Sequence, residues 1–293
     1  MKYVIALGGN AIGDKGSIRT AAKAIAKLYK EGNEIVVTHG NGPQVGELAM
    51  IRHENLAILT AQTQAWIGVI IDENIARALK KLNLDGDYSI SEVVLTKTIV
   101  DKKDGAFRNP TKPIGKFYAK REAELLARRG FTMKKLVNGY RRVVPSPEPK
   151  GIVQRGMIQE LLRSKRLVIA CGGGGIPVLK ERGGLAFAEA VIDKDKASAL
   201  LAKEIGADRF IILTNVDGIY LNFKKRNQEF VSEIRARKLK EYLKLGCFEP
   251  GSMEPKVSAC IDFVESTHHP AGIGNINKAE RAVSMKGLTL ITP

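Results

Sequence analysis

The chain has 293 residues, 44% hydrophobic and 6% aromatic, and a formal net charge of +16 at pH 7. That length suits one large or two modest domains built on an aliphatic core, and no apolar run is long enough to cross a bilayer. The cysteines Cys171, Cys247 and Cys260 form no C-x-x-C pair, which argues against a disulfide framework or zinc site and for a reducing, cytoplasmic compartment.

The apolar start, Tyr3–Leu7, breaks at Gly8-Gly9 and predicts a buried first strand rather than a leader. Ile18, Ala21, Ala22, Ile25, Leu28 and Tyr29 share one helical face, ended by Gly32. Ile35–Val37 is a second strand, and Pro43 can open a helix running to about Leu59. A separate helix is marked by Trp66, Ile67, Ile70, Ile71, Ile75, Ala78 and Leu79, followed by a strand at Ser91–Leu95. From about 97 to 150 the pattern changes to a proline-containing, basic stretch. Helical spacing appears there only near Tyr118–Arg129, and short β runs at Phe131–Val137 and Tyr140–Val144. It reads as a protruding lid inserted into a single domain spanning 1–293.

Alternation then resumes. A helix is expected around Ile158–Leu162, a strand at Leu167–Ala170, a helix over 195–205 and a strand at Phe210–Leu213. A helix over about 255–266 and strands at Ala271–Ile273 and Leu288–Ile291 complete the chain. Such alternation predicts an α/β fold, three layers α/β/α around a mostly parallel sheet.

Residues 101–150 carry 14 Lys and Arg against 5 Asp and Glu. Such a patch can bind nucleic acid, steer small anions or merely face water. The segment lacks interleaved aromatics for base stacking, so nucleic acid comes last. Metal motifs are absent: His53-Glu54 begins H-E-x-x-H, but residue 57 is Ala.

Four glycine-centred turns mostly follow strand-like runs: Gly8-Gly9-Asn10, His39-Gly40-Asn41-Gly42-Pro43, Gly172–Gly175 and Gly251-Ser252-Met253. Glycine lets backbone N–H groups approach an oxyanion closely, so loops gathered at one sheet edge suggest phosphate chemistry. Neither G-x-x-x-x-G-K-[ST] nor G-x-G-x-x-G occurs, so the site is of another kind.

Asp193-Lys194-Asp195 opens a helix. Asp193 or Asp195 can simply cap it, but Lys194, held between two carboxylates, suits a fixed charge on a moving phosphoryl group. Lys256 follows the Gly251 turn, either as an exposed helix-start lysine or as part of an anion site. Thr214-Asn215-Val216-Asp217-Gly218-Ile219-Tyr220 is a tight turn that can also cradle a nucleotide. Pro110 and Pro113 stiffen the loop presenting Lys112.

Together these segments resemble the amino-acid kinase superfamily and, within it, the carbamate kinases. The resemblance runs over essentially the whole chain. It rests on Ile5–Ala11, Thr38–Gly46, Asn109–Pro113, Arg142–Pro147, Gly172–Gly175, Val191–Asp195 and Gly251–Lys256. Most superfamily members carry a lysine two residues before the first Gly-Gly. Ala6 stands there in this chain, as in carbamate kinases, and Lys194 matches the substitute lysine.

The resemblance implies reversible phosphoryl transfer from ATP to carbamate, with Mg²⁺, in a homodimer with neither nucleic-acid nor membrane partners. It implies Lys194 and Lys256 as phosphoryl-stabilising cations and Asp195 as the residue holding them. Gly8, Gly9, Asn10, Gly40, Asn41, Gly173 and Gly174 would bind substrate, the first five through backbone and amide donors, with Lys112 reaching down from the lid. Thr214, Asn215, Val216, Tyr220, Met253 and Lys256 would hold the nucleotide; no metal ligand is assigned. The chain departs from the family pattern at Asn215, where Asp is usual, and at Gly287-Leu288-Thr289, where a Gly-Thr pair is expected. Two alternatives remain at this point: a sister kinase for another small carboxylate or phosphate, and a non-catalytic sensor of nucleotide or carbamoyl phosphate.

Overall fold

The computed structural model describes residues 1–8, 14–52, 54–84, 90–223 and 225–293. Among them, eight strands form the central sheet in the order β15 (Glu233–Arg235), β17 (Thr289–Thr292), β16 (Ala271–Asn275), β12 (Arg209–Thr214), β1 (Lys2–Leu7), β2 (Glu34–His39), β9 (Leu167–Ile169) and β3 (Ser91–Val93). Every neighbouring pair is parallel except β16–β17.

Strand alternation divides the core. Val4 and Ala6 of β1 join a cluster with Ala199, Leu201, Phe210, Ile212 and Phe263, while Tyr3, Ile5 and Leu7 face Ile18, Ile25, Ile67, Ile71 and Ile75 on the other side. Both faces of β1 and β2 are buried, which explains their continuous apolar runs. Helices α1 (Lys15–Lys30) and α3 (Leu56–Lys80) cover one face; α6 (Lys194–Glu204) and α8 (Met253–Thr267) cover the other. The three-layer α/β/α architecture follows.

Helix boundaries have local causes. Asp14 caps α1 by accepting from the N–H groups of Gly16 and Ser17, and Lys27 and Lys30 lie in its last turn. The helix expected from Pro43 to about Leu59 is shorter. α2 spans Gly42–Ile51, and α3 starts at Leu56 because the Asn55 side chain accepts from the Ala57 N–H. The two helices predicted across 43–79 therefore divide before residue 56.

A second sheet, β11 (Gly184–Phe187), β10 (Ile176–Glu181), β4 (Lys97–Val100) and β8 (Gly151–Ile152), draws both ends of the basic stretch to the 176–187 hairpin. Between those ends, β5 (Lys112–Tyr118), β7 (Gly139–Val144) and β6 (Met133–Leu136) form a separate antiparallel sheet, with α4 (Lys120–Arg128) between β5 and β6. A short ribbon of β13 (Tyr220–Leu221) and β14 (Glu229–Phe230) flanks the C-terminal half. The remaining helices are α5 (Arg155–Arg163), α7 (Ala236–Lys244) and α9 (Ala279–Val283).

The three-stranded sheet docks on α2 and α3. Ile114 and Val144 pack with Val45, Ala49, Leu56 and Leu59. The Arg142 Nη1 donates to the Ala49 carbonyl at 3.0 Å, and its guanidinium lies over the Phe131 ring. At Gly46 the approach is backbone to backbone, since a Cβ there would fall 1.8 Å from the Gly115 nitrogen. Gly46→Ala is therefore expected to displace the small sheet and cost about 1–3 kcal/mol. Hydrogen exchange should show faster exchange within 112–144 and unchanged protection in β1 and β12.

Candidate active site

The adjacent parallel strands β9, β2, β1 and β12 all end at the same edge of the sheet, the usual ligand-binding side of such folds. There a cavity of about 310 Å³ is lined by residues that include Gly8, Gly40, Asn41, Gly42, Lys112, Arg141, Gly173, Asp193, Lys194, Asp195, Thr214, Asn215, Ser252 and Lys256. A second cavity of about 170 Å³ shares Thr214, Asn215, Ser252 and Lys256 with it, and adds Val216, Tyr220, Phe223, Cys247, Phe248 and Met253. Its walls are mixed aromatic and polar, as a nucleotide base and ribose require.

Asp193 and Asp195 organise the first cavity. Asp193 caps α6, one carboxylate oxygen accepting from the N–H groups of Asp195 (2.9 Å) and Lys196 (3.3 Å), while the other meets the Lys112 ammonium. Asp195 lies in the first turn of the same helix. Its Oδ1 accepts from Lys194 Nζ at 2.5 Å and its Oδ2 from Lys256 Nζ at 3.0 Å. The three side chains are 5%, 10% and 15% exposed, so water screens their charges weakly.

The titration behaviour follows from this burial. Burial alone would raise the Asp195 pKa, but the charges and hydrogen bonds of Lys194 and Lys256 hold it well below the carboxylate range. Asp193 is likewise depressed: desolvation opposes ionisation, but the Lys112 charge together with hydrogen bonds from Lys112 and the Lys196 N–H outweighs it. The two lysines of the triad diverge. Desolvation, with repulsion from Lys256, pulls Lys194 down despite Asp195. Lys256 is also desolvated, yet attraction to Asp195 and Asp193 raises it.

The glycine loops act differently from the sequence expectation. The Gly8 N–H donates to the Leu213 carbonyl at 2.9 Å and the Gly40 N–H to the Leu7 carbonyl at 3.1 Å. The parallel ladders continue one residue past the strand ends, so these two donors are committed to the sheet rather than to an anion. One donor of the Asn41 amide goes to Thr63 Oγ1 at 2.8 Å. Gly8 and Gly40 thus give room at the cavity wall. The anion-facing backbone is better supplied by the N-terminus of α2 at Gly42, where Asn41 makes no side-chain cap, because at the start of α8 the Ser252 and Glu254 N–H groups already donate to the Glu249 carbonyl and Pro255 has none.

Gly173 lines the cavity at φ +64°, and a Cβ there would lie 2.2 Å from the Asn41 amide nitrogen. Gly174 does not line it. Its carbonyl accepts from Thr98 Oγ1 and its backbone abuts Ile192. Gly9 and Asn10 lie outside the described residues. All six residues expected at the nucleotide, Thr214, Asn215, Val216, Tyr220, Met253 and Lys256, line the second cavity. Lys194, Asp195, Lys256 and Lys112 meet at the first.

Arg141 also lines the first cavity and was not singled out from sequence. The available signal was the Arg141-Arg142 pair on a strand, whose side chains must diverge to opposite faces. Among the described residues no cluster of three or more His, Cys, Asp or Glu is placed to hold a metal ion, and both cavity carboxylates are engaged by lysines. The three cysteines are unpaired. No helix among the described residues is long and apolar enough to cross a membrane.

With this geometry in place, the relatives can be compared. The amino acid kinase family pattern matches residues 1–275, and the chain belongs to that family. Carbamate kinases are among its full-length relatives: that of Pyrococcus horikoshii is 40% identical, covering 100% of this chain and 99% of its own. That of Thermococcus kodakarensis is 42% identical over 97% of each chain. Among solved structures, the Giardia lamblia carbamate kinase bound to AMP-PNP is 37% identical with a TM-score of 0.86, covering 99% of this chain and 98% of its own.

His39 sits beneath the site, fully buried, its Nδ1 against the Gly40 carbonyl at 3.1 Å. Desolvation is the main cause that lowers its pKa to about 4. Between pH 4 and its unfolded value near 6.5 the unfolded chain binds the extra proton, so stability rises with pH across that window. The group's contribution is about 3 kcal/mol over the full window. In urea unfolding at pH 7 and pH 5, the gap between wild type and His39→Gln should narrow by about 2 kcal/mol at the lower pH.

Proposed function

We propose that the chain is a carbamate kinase, transferring the γ-phosphoryl group of ATP reversibly to carbamate. A carbamate oxygen attacks phosphorus, the bond to the ADP oxygen breaks, and carbamoyl phosphate and ADP result. The observation that carries this reading is the Lys194–Asp195–Lys256 triad at the junction of two connected cavities. Full-length likeness to carbamate kinases and Ala6 at the position of the superfamily lysine support it.

Phosphoryl transfer of this kind needs in-line positioning and charge neutralisation rather than covalent participation. The nucleotide occupies the cavity walled by Tyr220, Phe223, Phe248 and Met253, with its phosphates directed past Thr214 and Asn215 toward Lys256. Carbamate occupies the other end, between α2 and Lys112. Lys194 and Lys256 meet the equatorial oxygens of the moving phosphoryl group from fixed positions, and Asp195 prevents their mutual repulsion from spreading them. No acid–base group is required, because carbamate is already an anion. Mg²⁺ would travel on the nucleotide phosphates rather than in a protein cage, adding neutralisation of phosphate charge.

The sheet formed by 112–144 is the lid over the carbamate end, tied to the floor by the Lys112–Asp193 pair. The functional unit is a homodimer. Trp66 and Val69, three residues apart on the outer face of α3 and 52% and 59% exposed, support a covered apolar surface there. Trp66→Asp should shift the light-scattering mass to that of the monomer.

The direct test is ATP formation from ADP, Mg²⁺ and carbamoyl phosphate. Lys194→Ala and Lys256→Ala should each lower kcat on the order of 10²–10³-fold with the fold intact. Wild-type protein that binds ADP yet forms no ATP would overturn the assignment in favour of a sister kinase or a sensor.

A further inference from the structure

The cations that line the first cavity are unequal in their partners. Lys112 is paired with Asp193, and Lys194 and Lys256 share Asp195. Arg141 has no carboxylate among the described residues. Its Nη2 donates to the neutral Gly115 carbonyl at 2.6 Å, and its guanidinium lies 5.3 Å from the centroid of the Phe117 ring. Its Nε is buried and has no hydrogen-bond partner. A guanidinium carries five N–H donors, and a half-buried one so sparsely satisfied is costly unless something else completes it.

The neighbouring Arg142 marks the contrast. It faces away from this wall, bonds the Ala49 carbonyl and clamps the small sheet to α2. Arg141 is held by Gly115 and Phe117 on the same sheet and lines the cavity shared with Lys112. Two carboxylates against three lysines and one arginine leave that wall with an excess of two positive charges, which an anionic substrate neutralises.

We propose that Arg141 recognises the planar O–C–O group of carbamate, gripping it by two N–H donors while Lys194 and Lys256 meet the phosphoryl group. This rests on the carbamate kinase reading and names the residue that orients its acceptor. A guanidinium presents two parallel donors in one plane, matching a carboxylate-type anion, whereas an ammonium is a point charge with no such preference. Bidentate contact at one end fixes which oxygen remains free to attack. After transfer one oxygen bridges to phosphorus, and the grip loosens toward the carbonyl oxygen alone. The same residue therefore favours carbamate over acceptors lacking a second oxygen.

Steady-state kinetics with ATP and ammonium carbamate test this in Arg141→Lys and Arg141→Gln. Both variants should raise the KM for carbamate about ten- to a hundredfold, Lys less than Gln, with the KM for ATP within about twofold of wild type. A purely structural role would loosen the small sheet and give no such split. A second measurement needs no variant: phenylglyoxal labelling of wild-type Arg141, followed by peptide mass spectrometry, should slow in carbamoyl phosphate and not in ADP alone. An unchanged KM for carbamate, an equal rise for ATP, or labelling indifferent to carbamoyl phosphate overturns the proposal. Inactive wild type would instead overturn the carbamate kinase reading, and the labelling result would still decide whether Arg141 meets the acyl phosphate.

Discussion

One buried carboxylate holds two buried ammonium groups at the entrance of α6, and the rest of the site is arranged around that contact. Asp195 accepts from Lys194 at 2.5 Å and from Lys256 at 3.0 Å, joining the sheet-edge loop after Ile192 to the first turn of α8, 61 residues further along the chain. Burying such charges is expensive, and a partner removed from a buried pair leaves an uncompensated ion that costs about 3–5 kcal/mol. The cost is tolerated here because the triad retains one net positive charge, which an entering phosphoryl group neutralises. Preorganised charge of this kind does not have to reorganise during reaction, which is the principal source of catalysis in phosphoryl transfer.

The surrounding fold keeps the triad rigid. Asp193 caps α6 and anchors Lys112, so the helix start and the three-stranded sheet share one carboxylate. Ser198 Oγ donates to the Lys194 carbonyl at 2.6 Å and leaves Thr38 Oγ1, also at 2.6 Å, as the donor to it. That chain ties the catalytic helix to β2. On the nucleotide side Asp217 accepts from Asn275 and Lys278, fixing the loop that carries Thr214 and Asn215 to the end of β16. Asn215 lies at the boundary of the two cavities, where a carboxylate would add negative charge beside Lys256. The basic excess of 101–150 has a partial local explanation in Lys112 and Arg141, which line the cavity, and in Arg142, which ties the three-stranded sheet to α2.

Much of this was legible in the residues. Continuous apolar runs at Tyr3–Leu7 and Ile35–Val37 announced buried strands, and Asp193 announced a helix start. The clustering of Lys194, Lys256 and Lys112 was implied by the family resemblance that the order of the motifs carries. What was not legible depends on register or on three-dimensional proximity. Whether Gly8 and Gly40 donate to an anion or to the sheet depends on how far the ladders with Leu213 and Leu7 extend. Gly174 looked equivalent to Gly173, yet it faces Ile192 and Thr98 rather than the cavity. Strand β4 escaped notice because it is short and its partner β10, in the 176–187 hairpin, lies far away in sequence. Asn55 divided a helical stretch whose apolar periodicity alone suggested a later break.

The measurement that bears most directly on the central contact is the pH–rate profile of Asp195→Asn in the ATP-forming direction. The substitution keeps the shape and some hydrogen bonding but removes the charge that raises both lysine pKa values. The account predicts a kcat lower on the order of 10²–10³-fold, with an alkaline limb displaced to lower pH because Lys194 deprotonates sooner. A variant with wild-type kcat and an unmoved alkaline limb would show that the two lysines hold their positions and charges without Asp195, and would contradict it.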